Sequence, residues 1–69
     1  MTNEIIFIVE DAPEGGYTAK ALAESIFIEG ESLDEIRSNI REAVENHYDP
    51  DMHPKIIRLH YVKEEVMSL

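Results

Sequence analysis

Between His47 and His53 the chain sets imidazoles and carboxylates close together, in the segment His47-Tyr48-Asp49-Pro50-Asp51-Met52-His53. Imidazole nitrogen and carboxylate oxygen are donors that zinc and other divalent transition ions accept, which makes His47, Asp49, Asp51 and His53 a candidate ligand set. A metal site needs its ligands in a fixed geometry, whereas these straddle a helix end and a loop broken by Pro50. The ordinary reading competes directly: a histidine near a helix C-terminus is favoured by the macrodipole, and aspartates form loops. The residues therefore require no metal and no cofactor. Glu10-Asp11 and Glu64-Glu65 pair carboxylates as acid–base catalysis does, yet adjacent acids in a small chain are ordinarily solvated. Gly15-Gly16 supplies the positive φ of a turn and lacks the lysine of a phosphate-binding loop. Neither a nucleophile elbow nor a His-Glu-x-x-His helix occurs. His60 lies in a strand opposite Leu59 and Tyr61, as a structural or solvated side chain does. Tyr17, Tyr48 and Tyr61 lack the basic groove that accompanies a base-stacking platform. No catalytic residue is expected, and the chain is read as a binding protein and not an enzyme.

Charge narrows the partner. The 69 residues carry 15 acids against 6 bases, a formal net charge of −9, which repels phosphate backbones and anionic lipid alike. Direct nucleic-acid and membrane binding are not expected. Up to Ile36 the only base is Lys20, against Glu4, Glu10, Asp11, Glu14, Glu24, Glu29, Glu31, Asp34 and Glu35. Such a field accelerates docking to a basic protein; equally, acidity keeps a small domain soluble. With no cysteine, disulfides and thiolate zinc sites are excluded. Met1-Thr2-Asn3-Glu4 is no basic signal-peptide start, and no apolar run approaches the roughly 20 residues of a bilayer span. A cytoplasmic location is the expectation.

The elements follow from pattern. Glu4 to Glu10 is a β-branched and aromatic run, and Asp11 to Gly16 is rich in turn residues, so a first strand leads into a hairpin. Tyr17 to Leu22 forms a second strand, with Tyr17, Ala19 and Ala21 on one face. Ser25 to Glu29 forms a third, ended by Gly30, after a bend near Ala23-Glu24. Ser32-Leu33-Asp34-Glu35 is a capping box in which the Ser32 hydroxyl accepts from the Glu35 N–H and the Glu35 carboxylate reaches back to Ser32. The helix that follows presents Leu33, Ile36, Ile40, Ala43, Val44 and His47 on one face and ends at Asp49-Pro50. Ile56 to Lys63 is a fourth strand, with Ile57, Leu59 and Tyr61 on one side, and Glu64 to Leu69 is a short final turn or a frayed tail. The order β-β-β-α-β predicts an α+β fold in one domain over residues 1–69: an antiparallel three-stranded meander, one helix, and a fourth strand beside and parallel to the first. The continuously apolar first strand suits a central position buried on both sides.

One helix covers one face of a sheet, while these strands carry apolar residues on both. An uncovered apolar face is the mark of an interface, and a symmetric homodimer or higher oligomer is its commonest form. Ile6, Ile8 and Phe27 are the expected self-association residues.

The acidic turn into Gly15-Gly16-Tyr17-Thr18-Ala19, the strand ending in Gly30, and Glu31-Ser32-Leu33-Asp34-Glu35-Ile36 continuing through Asn39-Ile40 and Glu42-Ala43-Val44 together resemble the amino-terminal domain of the HicB-like antitoxin family. The likeness covers roughly residues 4 to 48. It implies a degenerate ribonuclease-H-like fold without catalytic residues, often dimeric, in a type II toxin–antitoxin system. There the acidic domain masks a small basic HicA-like toxin, similar to a double-stranded-RNA-binding domain, that cleaves messenger RNA. The family usually places Pro or Gly between its second and third strands, where this chain has Ala21-Leu22-Ala23-Glu24-Ser25. Antitoxins of this kind also carry a carboxy-terminal DNA-binding domain, for which residues up to Leu69 leave no room, so promoter autoregulation is not expected. The resulting expectation is a solitary HicB-like domain, with or without a surviving toxin, that presents Glu10, Asp11, Glu14, Glu29 and Glu31 to a basic protein. A metal- or small-ligand-binding protein using His47, Asp49, Asp51 and His53 is the alternative, and an accessory subunit of a larger enzyme is a third reading.

Overall fold

The computed structural model describes residues 3–69. Its elements are β1 (Glu4–Asp11), β2 (Tyr17–Ala21), β3 (Phe27–Gly30), α1 (Leu33–His47) and β4 (Ile56–Val62), an α+β arrangement of one helix on a mixed sheet. The order of the four strands in space departs from their order along the chain: it is β3-β2-β1-β4, with β1 central. β1 pairs antiparallel with β2 and β2 with β3, while β4, returning through α1, lies parallel to β1 on its other side.

The β1–β2 hairpin is closed by the Ala12 N–H donating to the Gly16 carbonyl at 3.0 Å and the Gly15 N–H to the Ala12 carbonyl at 3.1 Å. Pro13 presets the first central φ of this turn, and Gly15 and Gly16 then take φ of +101° and +78°. A Cβ on Gly16 would also lie 2.6 Å from the Gly30 carbonyl oxygen, so this position is restricted by space as well as by torsion.

Alternation along β1 sends Ile5, Phe7 and Val9 into the core with Ala19, Ala21 and Ile26, where they meet Ile36, Ile40 and Val44 of α1. The small Ala19 and Ala21 side chains let the helix come close, and Gly30 does the same at the helix start, where a Cβ would stand 3.1 Å from the Ile36 side chain. Asn39 fastens α1 to β3 by donating to the Glu29 carbonyl at 3.1 Å.

Several local expectations change. The third strand starts at Phe27 and not Ser25, because pairing with β2 begins at the Lys20–Phe27 step; the connection before it is closed by the Ala21 N–H donating to the Ile26 carbonyl at 3.1 Å. Ile26 is buried from that connection. The Ser32 hydroxyl accepts from the Glu35 N–H at 3.1 Å as a cap does, but the Glu35 carboxylate accepts from the Glu31 N–H at 3.0 Å rather than from Ser32. Another orphan donor at the helix entrance is satisfied instead. His47 is exposed and leaves the buried helix face, since it lies in the last turn, within reach of Glu24 in the β2–β3 connection. β1 is central yet covered on one side only, its Ile6 and Ile8 being half-buried. After Val62 the chain runs on without secondary structure.

Candidate interaction surface

Strand registry assembles the face that α1 leaves open. Side chains alternate along each strand, so Ile6 and Ile8 point away from Phe7, and their partners in register share that face. Ile8 stands beside Lys20 on β2 and His60 on β4, and Lys20 in turn beside Phe27 on β3. One row across the sheet therefore reads Phe27, Lys20, Ile8, His60. The neighbouring row reads Glu29, Thr18, Glu10, Val62. On the other side, Ile6 faces Arg58 and Glu4 faces Ile56. Phe27 is 60% exposed, and Ile56 and Val62 are exposed as well, so this face sets apolar side chains in water among the exposed Lys20, Glu10, Glu29, Arg58 and His60. Its charge is balanced locally: the Glu4 carboxylate accepts from Arg58 Nε at 2.6 Å.

Sequence pattern identified Ile6, Ile8 and Phe27 for this face, and all three lie on it. It did not identify Ile56, Arg58 and Val62 as their neighbours, because that requires the register of β4 against β1. The only signal was the polar–apolar alternation of β4 itself.

The acids expected to meet a partner converge. Glu10 and Asp11 close β1, Glu14 sits in the hairpin turn, Glu29 lies near the end of β3, and Glu31 follows Gly30. Asp11 pairs with Tyr17 and Tyr17 with Gly30, which brings the end of β1, the hairpin and the end of β3 to one edge of the molecule. All of these carboxylates are exposed. Glu10 and Glu29 flank Thr18 on the open face itself, so the acidic end and the apolar face are continuous.

The His47–His53 residues are not gathered. His47 Nε2 lies 3.3 Å from Glu24 Oε2, and His53 Nδ1 lies 3.0 Å from the Pro54 carbonyl oxygen. The Asp49 carbonyl accepts from the Met52 N–H at 2.8 Å, folding the loop into a turn. Among the described residues no three His, Asp or Glu side chains come within reach of one ion. The local chemistry is instead a small cluster around Glu24. The rings of His47 and Tyr48 meet edge to face at 4.9 Å. Burial, then the Glu24 carboxylate beside it, pushes the Tyr48 hydroxyl above the ordinary tyrosine value. Sequence reading missed Glu24 because its partners are distant in the chain.

No helix among the described residues is long and apolar enough to cross a membrane. No family model matches the chain. No solved structure matches it either. Among curated proteins it is 42% identical, over 52 residues, to a UPF0150 protein of Archaeoglobus fulgidus; the match covers 75% of this chain and 77% of that relative. It is 33% identical over 66 residues to a UPF0150 protein of Thermotoga maritima, covering 96% of this chain and 93% of that relative. Kinship at this level over nearly the whole length places the chain in a family: it belongs to the UPF0150 proteins.

Proposed function

We propose that this chain is a non-catalytic binding domain of the HicB-like antitoxin type, which self-associates through its open sheet face and offers its acidic edge to a small basic protein. The observation that carries this reading is the continuity of the two surfaces: Ile6, Ile8 and Phe27 lie on one sheet face, and that face runs directly into Glu10 and Glu29. An α+β frame of one helix on four strands is compatible with the degenerate ribonuclease-H-like fold of that family. A net charge of −9 suits a partner such as a HicA-like toxin, whose basic RNA-contacting surface the carboxylates would occupy in place of phosphates.

The test is messenger-RNA cleavage by the purified product of a short, basic reading frame adjoining this chain's own, and the absence of any such frame would itself count against the antitoxin reading. Addition of the protein at equal molar ratio is expected to suppress cleavage. The Glu10→Lys/Glu14→Lys/Glu29→Lys variant is expected to associate more slowly, with the difference fading at high salt. Full cleavage in the presence of excess wild-type protein would reject the antitoxin reading, and unchanged association of the variant would reject its electrostatic basis.

A further inference from the structure

Beyond β4, residues Lys63–Leu69 carry apolar side chains with nothing to rest on: Val66 is 86% and Met67 79% exposed, and Leu69 is fully exposed. The molecule measures 52 Å along its long axis against 22 and 18 Å across. The seven-residue β4 spans about 23 Å and seven further residues, taken as extended, about 23 Å more, which together approach that length.

The arm cannot readily serve its own domain. Val62 lies beside Glu10 at the acidic end of the sheet, and Lys63-Glu64-Glu65 contains none of the Gly, Pro, Asn, Asp or Ser residues that reverse a chain. A second copy offers what the first lacks. Its open face is wide enough: four strands about 4.8 Å apart span about 14 Å, less than the arm's reach. Its chemistry offers the arm a counter-charge, since Ile8 and Phe27 flank Lys20, an exposed cation in the row next to the one that holds Glu10 and Glu29.

We infer that two copies exchange arms, each laying Lys63–Leu69 across the other's open face, with Met67 and Leu69, which share one side of an extended arm, against Ile6, Ile8 and Phe27, and Glu65 on that same side toward Lys20. This rests on the self-association proposed above and names the segment that covers the face.

The chain has no cysteine, so Ser68→Cys gives a single attachment point for a nitroxide on an exposed position. Spin-labelled, unlabelled-isotope protein is mixed with nitrogen-15 wild-type protein, and the mass of the mixture is measured by sedimentation. A dimer whose isotopic copy loses amide signal at Ile6, Ile8, Lys20 and Phe27 is the expected result. A dimer with broadening confined to the outer edge of β4, or with none, overturns arm exchange and leaves self-association standing. A monomer overturns both. Met67→Asp/Leu69→Asp, at positions exposed in one copy, is expected to raise the dissociation constant at least tenfold; an unchanged constant overturns the arm's role.

Discussion

Replacing Phe27 by alanine isolates the open face from the core. A phenylalanine buries roughly 200 Å² when fully covered. Phe27 is 60% exposed in one copy, leaving about 120 Å² to be covered by a partner. At about 25 cal/mol per Å² that area contributes about 3 kcal/mol to association if covered completely, and about 1.5 kcal/mol if half covered. A two-fold interface counts the substitution twice, so the loss is about 3 to 6 kcal/mol, or roughly two to four orders of magnitude in the dissociation constant. The domain itself loses at most about 2 kcal/mol from the part already sheltered. Sedimentation equilibrium over a common concentration range reads the association, and circular dichroism confirms that the variant is folded. A folded Phe27→Ala protein that associates as tightly as the wild type would refute the assignment of this face.

The remaining expectations concern the frame. Phe7, which is fully buried, should cost about 3 to 5 kcal/mol when cut to alanine, enough to unfold so small a domain, as read by urea titration. Ser32→Ala removes the oxygen that caps Glu35 and should lower stability by about 1 kcal/mol with no effect on association. The raised Tyr48 hydroxyl gives an alkaline signature: its stabilising effect is whole below the unfolded tyrosine value near 10 and is lost as pH rises through the folded value. The melting temperature should therefore fall above about pH 10, and Tyr48→Phe should flatten that fall in a calorimetric pH series.

How much was legible in advance depends on how local the cause was. The capping Ser32, the helical spacing of Ile36, Ile40 and Val44, and the Gly15-Gly16 turn are set by neighbours in sequence, and they fold as their types require. The start of β3 was not legible, because Ser25 and Ile26 suit a strand by type and only pairing with Lys20 excludes them. The Glu24 cluster was hidden for the same reason, its partners being His47 and Tyr48 at the far end of the helix. Alternation did set Ile6 and Ile8 opposite Ile5, Phe7 and Val9, and Phe27 opposite Ile26 and Ile28, but which of the two faces the helix covers was not legible. It did not reveal their surroundings, which depend on the parallel register that brings Arg58 and His60 alongside.

Self-association follows if one helix is too little to cover both faces of this sheet. Sedimentation equilibrium of the wild-type chain, from micromolar to millimolar concentration in moderate salt, tests that most directly. A mass of at least twice the 7.9 kDa protomer, persisting on dilution into the micromolar range, is the predicted result. A single 7.9 kDa species throughout, folded and soluble at the highest concentration, would contradict it.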